Sequence, residues 1–345
     1  MPMEFASEEM LQALEGLFRR STRVALIGHT HPDGDALGCT GALAAYLREN
    51  RGIGAACLFP DSPAAHLRFI VPEGVPLLCQ DTDPEASARW IQSADLIVLL
   101  DANAFSRTEG LAPLLAASPA PKVLIDHHLN PDREAFQLAF STPDISSASE
   151  LLYWLLKGLE GEASRLCEGC RKALLAGMTT DTNNFANSVF PSTFRMASEL
   201  IAAGTDRDAL LGQLYCQYRP NRVRLMGYMQ NEGLQLLPCG AAYMVLTQEI
   251  QQRFDLKEGE SEGLVNVPLS IGSVRLSVLV KEENGVFRVS VRSKKGTSAQ
   301  RLAQTFFHGG GHENAAGGKI LIGEDIPRPE AVSAYLEQTL NAFLS

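Results

Sequence analysis

RVALIGHTHPDGDALG, residues 23–38, sets the reading of this chain. The apolar run Arg23 to Gly28 has the length and density of a strand buried on both faces. It passes directly into a loop carrying His29, Asp33 and Asp35, and a helical pattern follows from Ala36 to Glu49. A strand end that opens into a polar loop before a helix is where open parallel sheets bind ligands.

The same alternation continues outward. Strand-like runs at Ala55 to Phe59, Asp95 to Leu100 and Lys122 to Ile125 alternate with helical stretches at Ser147 to Leu159, Lys172 to Met178 and Phe194 to Ala203. The class is α/β, with a parallel-sheet catalytic domain over residues 1–200 covered by helices on both faces. Thr205-Asp206 reads as the cap of a further helix, and residues 201–238, interrupted at Pro220, read as a helical linker. From 239 to 345 the pattern changes to a smaller, mixed-sheet α/β domain. A strand begins at Tyr243, and SVRLSVLVKEENGVFRVSVRS, residues 273–293, sets Asn284-Gly285 between two alternating β-branched runs, a hairpin signal. A helix over 296–307, the run HGGGHENAAGG over 308–318 and a strand over 319–322 complete it.

The 345 residues exceed what one core usually supports, and 45% hydrophobic content supplies two. There is no apolar run of the roughly 18 residues a membrane span needs. Residues 1–20 read as an acidic amphipathic helix rather than a signal peptide, so a cytoplasmic chain with no membrane partner is expected. Seven scattered cysteines argue against a disulfide framework. A net charge of -10 disfavours a long nucleic-acid partner, which is held through many Lys and Arg contacts. Residues 281–320 nevertheless hold seven Lys or Arg against three Glu, a local +4 suited to a small anion.

Six of the seven histidines fall in three pairs: His29 and His31, His127 and His128, His308 and His312. Asp101 and the triplet Asp126-His127-His128 end the later strand-like runs, and Asp181 follows a helical run in GMTTDTNNF. If Asp33, Asp35, Asp101 and Asp181 converge, each pair at about 4 Å repels by about 4 kcal/mol at an effective dielectric of 20. Cations are required, and Arg107 lies six residues beyond Asp101. Carboxylates with two imidazoles suit a pair of divalent cations, Mn²⁺ first, with Mg²⁺, Co²⁺ or Zn²⁺ following. Asp101 is the natural bridge between ions at roughly the 3.5–4 Å spacing that activates hydroxide for in-line attack on phosphorus.

These motifs, HTHPDGDALG, DLIVLLD, LIDHH and GMTTDTNNF in that order, resemble the DHH phosphoesterase superfamily. VSVRSK and GGGHENAAGG resemble its DHH-associated C-terminal substrate-binding domain. The two-domain form is similar to the RecJ-like nanoRNase and pAp-phosphatase subgroup. The resemblance implies that one ion takes His29, Asp33 and Asp101, and the other Asp35, Asp101, His127 and Asp181. It implies catalytic roles for Asp101, for His128 facing the phosphate, and for Asp126 orienting an imidazole. It assigns substrate phosphate or ribose to Arg292 and Ser293, and a terminal phosphate to Gly309, Gly310, Gly311 and His312. The implied activity is Mn²⁺-dependent hydrolysis of short oligoribonucleotides of about two to five nucleotides, or of 3′-phosphoadenosine 5′-phosphate (pAp). The alternatives are a linear dinucleotide (pApA) phosphodiesterase, a pyrophosphatase or exopolyphosphatase, and, last, a non-catalytic nucleotide-binding module. Oligomeric state stays open, a homo-oligomer included.

Other features have plainer readings. Asp-Gly-Asp is also ordinary turn chemistry, and GGGH also a flexible turn. Arg107 reads either as a surface cation or as a clamp on substrate phosphate. Cys167-Glu-Gly-Cys170 lacks a second ligand pair and reads as ordinary thiols in a loop between helices. Ser146, Ser147 and Glu150 read as a helix cap, Tyr153 and Trp154 as core. Phe306 and Phe307 read as core or as a nucleobase platform. His31 falls where the sequence departs from the family pattern and takes no role.

Overall fold

The computed structural model describes residues 6–345. The chain forms two compact units, the first ending at Gln217 and the second running from Tyr218 to Ser345.

The first unit is built on strands β1 (Arg23–Ile27), β2 (Gly54–Phe59), β3 (Leu77–Cys79), β4 (Leu96–Leu100), β5 (Lys122–Asp126) and β6 (Leu138–Ser141). They form one sheet in the order β3-β2-β1-β4-β5-β6, parallel throughout. The order reverses between β1 and β4, the switch point where doubly wound sheets open a crevice. Its helices are α1 (Glu8–Arg20), α2 (Gly34–Ala45), α3 (Pro84–Ser93), α4 (Ala112–Ala117), α5 (Ala148–Glu160), α6 (Glu168–Asp181), α7 (Pro191–Ala202) and α8 (Arg207–Tyr215). Strand side chains alternate between faces. Val24, Leu26 and Val98 therefore pack with Leu14, Leu37, Leu152 and Leu175, while Ala25, Ile27, Ile97 and Leu99 pack with Ile91 and Leu115. Both faces are covered, which is why the strands read as unbroken apolar runs.

Several helix boundaries differ from the sequence expectation. α1 is capped by the Ser7 hydroxyl, which accepts from the Met10 N–H, and the part of the expected helix before Ala6 lies outside the described residues. The helix expected to run to Glu49 leaves α geometry at Ala45 and closes in a π turn over Tyr46–Asn50. α6 is longer than Lys172 to Met178, and Asp181 is its last residue.

The packing of α2 on α6 sets the distance between two of the acids. Gly38 faces Gly177, and a Cβ on Gly38 would lie 2.6 Å from the Gly177 Cα. Gly34 likewise leaves no room beside the Thr180 side chain. Gly38→Ala is expected to wedge the helices apart and cost about 1–3 kcal/mol, as overpacking does. Gly212→Ala in α8, where nothing lies within 4 Å, is expected to be neutral or to stabilise by up to about 1 kcal/mol. Urea denaturation of the two variants checks the contrast.

The second unit contains α9 (Pro220–Tyr228), β7 (Leu234–Leu236), β8 (Ala241–Leu246), α10 (Gln248–Arg253), β9 (Leu276–Glu283), β10 (Val286–Ser293), α11 (Ala299–Phe306), β11 (Gly310–His312), β12 (Ala315–Leu321) and α12 (Val332–Leu344). The sheet order is β11-β12-β10-β9-β8-β7, antiparallel except for the parallel β8/β9 pair. Asn284 and Gly285, with φ of 46° and 81°, close the β9/β10 hairpin as their types predict. Within residues 201–238, α8 belongs to the first unit and α9 to the second.

The glycine-rich run is an edge strand rather than a loose turn. Gly310 to His312 pair with Gly317 to Ala315, and a Cβ on Gly309 would collide with the Gly317 carbonyl. Phe307 is fully buried against Leu302 and Leu336, which excludes it as a nucleobase platform, and Phe306 packs against the same core. Among the described residues, no helix is long and apolar enough to cross a membrane.

Candidate metal centre

The carboxyl ends of β1, β4 and β5, flanking the switch point, deliver His29, Asp101 and Asp126-His127-His128. Asp33 and Asp35 come from the start of α2, and Asp181 from the end of α6. Three ligand-type groups result: His29 with Asp33 and Asp101; Asp35 with His127 and Asp181; and Asp101 with His127 and His128. Within each, the ligating atoms lie within 4.8 Å of one another. Asp101 belongs to two of the three.

Each ligand is fixed locally. The Asp33 Oδ1 caps α2 by accepting the N–H groups of Asp35 and Ala36 at 3.0 Å, so the turn reading holds for a residue that also belongs to a candidate ligand group. Asp35 is buried and accepts the N–H groups of Ala148 and Ser149 at 2.7 and 3.0 Å, at the positive end of α5. That end is organised by the expected cap, since the Ser147 hydroxyl accepts the Glu150 N–H and Ser146 donates to the Glu150 carboxylate. The His29 Nδ1–H donates to the Thr30 carbonyl at 2.7 Å. This turns Nε2 toward Asp101 Oδ2, 3.4 Å away. Asp101 itself adopts a left-handed backbone, with φ of 55°, a conformation that non-glycine residues keep mainly where function demands it.

Asp101 Oδ1 carries the strongest indication of a missing charge partner. It is buried, accepts no hydrogen bond, and faces His127 Nε2 at 3.4 Å and His128 Nδ1 at 3.7 Å. An uncompensated buried carboxylate oxygen is costly, and a dication is the partner this donor set fits. Without one, protons do the balancing. Burial would lower His29, but the hydrogen bond to Asp101 and the charges of Asp33 and Asp101 raise it to about 9. His127 rises to about 10, against burial, through the approach of its Nε2 to Asp101 and the charges of Asp101, Asp181 and Asp35. Burial, with Asp33 and Asp101, pushes Asp181 up to about 7 despite the opposing pull of His127, and burial, with Asp101 and Asp181, raises Asp35 well above the carboxylate range. Burial would also raise Asp101, but the two imidazoles more than offset it and hold its carboxyl below that range.

A group whose folded pKa is raised stabilises the fold below its unfolded pKa and loses that contribution as pH climbs through the folded value. The raised imidazoles of the metal-free chain are therefore expected to add a loss of thermal stability from about pH 6.5, the unfolded histidine value, to the loss that raised Asp181 carries up to about 7. The loss should continue through about 9 and 10, the folded values of His29 and His127. With divalent metal in place of the protons the fall should disappear. Melting temperatures in chelator and in Mn²⁺ across that range test it.

Around His128 a second network forms. Buried Asp126 accepts the His128 N–H at 3.1 Å and its Nδ1–H at 2.7 Å. Arg107 Nη1 lies 2.9 Å from His128 Nε2. A guanidinium has only donors, so Nε2 accepts. Arg107 is thus part of the site, and it, rather than His128 Nε2, is the donor at this edge.

The sequence reading missed Asp61, which follows β2 and accepts from the Thr30 hydroxyl and the His31 N–H, pinning the loop that carries His29. The strand-end rule that marked Asp101 would have marked it too. His31 is exposed, beside Asp61, and outside all three ligand groups.

In the second unit, Arg292 is half-buried, bonds only to the Val291 carbonyl at 3.0 Å, and pairs with no carboxylate among the described residues. Burial lowers its pKa. Ser293 is buried, donating to the Thr297 carbonyl and accepting from Asn314, so it orders the turn beside Arg292. The Gly309 amide is already bonded to the Ala303 carbonyl, and Lys294 to that of Ile271. His312 is exposed, and Gly311 has a φ of 142° that only glycine holds comfortably.

Comparison with known proteins agrees with this geometry. Residues 23–178 match the DHH family N-terminal domain and residues 241–341 the DHHA1 domain. The chain is 30% identical over 321 residues to the bifunctional oligoribonuclease and PAP phosphatase NrnA of Bacillus subtilis, covering 88% of this chain and 91% of that one. It is 30% identical over 317 residues to the protein of the same description in Thermus thermophilus, covering 90% and 86%. A crystal structure of an exopolyphosphatase-related protein from Bacteroides fragilis superposes with a TM-score of 0.92 at 32% identity, covering 100% and 98%. A strand-end acid and histidine cluster on a parallel sheet, both domain matches and relatives aligned nearly end to end place the chain in the DHH family, with a DHHA1 domain in its second unit.

Proposed function

We propose that this chain is a two-metal phosphoesterase that hydrolyses short oligoribonucleotides and pAp. The observation that carries the reading is the convergence on Asp101, whose buried Oδ1 has no hydrogen-bond partner. One ion would be held by His29, Asp33 and Asp101, the other by Asp35, Asp101, His127 and Asp181, with Mn²⁺ the ion best matched to mixed carboxylate and imidazole donors. Bound there, the ions supply positive charge to the phosphate and lower the pKa of coordinated water.

The protein's own groups do the rest. Asp126 fixes the His128 ring and its Nδ1–H tautomer. Arg107 reaches the same edge with donors suited to phosphate oxygens, and would transfer from His128 Nε2 to the substrate. His128, freed from that bond and carrying a proton on Nε2 while its Nδ1–H stays on Asp126, would donate to the phosphate or the departing oxygen. In the second unit, Arg292, with no carboxylate partner among the described residues, would take a further substrate phosphate, and the exposed His312 edge would add a donor.

A short nucleotide substrate is supported by the oligoribonuclease and PAP phosphatase activities for which the Bacillus and Thermus relatives are named and by the net charge of -10. A polyphosphate substrate is suggested by the description of the Bacteroides structure. It would need a dense cationic clamp, yet Lys294 is engaged with the Ile271 carbonyl. A hydrolysis panel under Mn²⁺ with pAp, pApA, a five-nucleotide RNA, a long RNA and pyrophosphate separates the readings. Turnover of pAp and short RNA is expected. Turnover confined to pyrophosphate would overturn the proposal.

A further inference from the structure

Cys167-Glu168-Gly169-Cys170 lies at the start of α6, the end opposite Asp181. All seven cysteines are free thiols, but these two differ from the others in arrangement. Cys167 is the N-cap residue, yet its side chain makes no capping hydrogen bond, so capping does not account for it. Its backbone is held on both sides: the N–H donates to Asn50 Oδ1 at 3.1 Å and the carbonyl accepts the Arg171 N–H at 3.1 Å. Cys170 follows one turn later, inside α6. Side chains three positions apart at a helix start are neighbours, and a disulfide between them needs their Cβ atoms to close to about 3.5–4.5 Å.

The two sulfurs are unlike. Cys170 is fully buried, and Cys167 is partly exposed. The neighbouring Cys170 thiol lowers the Cys167 thiol against the opposing effect of burial, while burial raises Cys170 well above the usual thiol range. Gly169 lets the turn sit against Pro72, whose Cβ would lie 3.0 Å from any Cβ added there. An accessible, activated sulfur above a sealed one is the arrangement of an attacking and a resolving thiol.

We propose that Cys167 and Cys170 form a reversible dithiol–disulfide site that exchanges with low-molecular-weight disulfides of the glutathione type. The Cys167 thiolate attacks one sulfur of the disulfide, forming a mixed disulfide and releasing one thiolate, which takes up the proton lost from Cys167. Cys170 then loses its proton and attacks the Cys167 sulfur, closing the intrachain bond and releasing the second thiol. Two protein thiols are oxidised and one small disulfide is reduced to two thiols.

The full chain is incubated with glutathione disulfide, quenched by alkylation and mapped by mass spectrometry. The peptide Leu166–Arg171 is expected to carry an internal disulfide that dithiothreitol reverses. Cys170→Ala should instead accumulate glutathione on Cys167, and Cys167→Ser should leave Cys170 unmodified. Exposed Cys216 serves as the benchmark for an ordinary accessible thiol. Modification of Cys216 with Cys167 and Cys170 both recovered as free thiols in the wild-type chain would overturn the proposal, whether or not either variant folds.

Discussion

Asp101→Asn is expected to abolish turnover, with a loss of at least about 10³-fold, or roughly 4 kcal/mol of barrier. Asp101 stands at the centre of two of the three ligand groups and is the residue whose carboxylate faces His29, His127 and His128 together. An amide there removes the negative charge that both proposed ions share. It also removes the charge that holds His29 and His127 protonated in the metal-free protein, so their pKa values should fall toward the ordinary histidine range. The variant should bind fewer than two Mn²⁺ per chain in equilibrium dialysis. Retention of two ions with near-normal turnover would remove Asp101 from its central position.

The second large effect concerns His128. His128→Ala is expected to slow hydrolysis by about 10²–10⁴-fold while leaving the ions bound, since the two main ligand groups do not use it. Asp126→Asn should produce a loss of the same order. It cannot accept both His128 N–H groups through two oxygens as the carboxylate does, so the ring loses its fixed tautomer and orientation. Asp126 acts through His128, which makes it a positioning residue. Asp126→Asn should therefore cost little when His128 is already alanine. Steady-state kinetics of the single and double variants read this directly, and additive losses would show that Asp126 has an independent role.

Much of this organisation was legible in the sequence because burial on both faces of a parallel sheet writes strands as continuous apolar runs. β1, β2, β4 and β5 are all of this kind. β3 and β6 escaped notice because three or four residues at the sheet edges carry too little pattern. The glycine run resembled a turn because glycines that permit close strand approach have the same letters as glycines that permit flexibility; only the Gly309 contact with Gly317 distinguishes them. The acid and histidine cluster was legible because topology, not proximity in sequence, brings strand ends together. Arg107 on His128, Asp61 beneath the first loop, and the internal bonding of Ser293 depend on side-chain directions that no spacing rule encodes.

The most direct test of the paired-ion centre is a crystal structure of the chain grown with Mn²⁺ and measured at the manganese absorption edge. Two anomalous peaks are predicted, one on each side of Asp101, with His29 and Asp33 on the first and Asp35, His127 and Asp181 on the second. A single peak, or manganese bound away from Asp101, would contradict it.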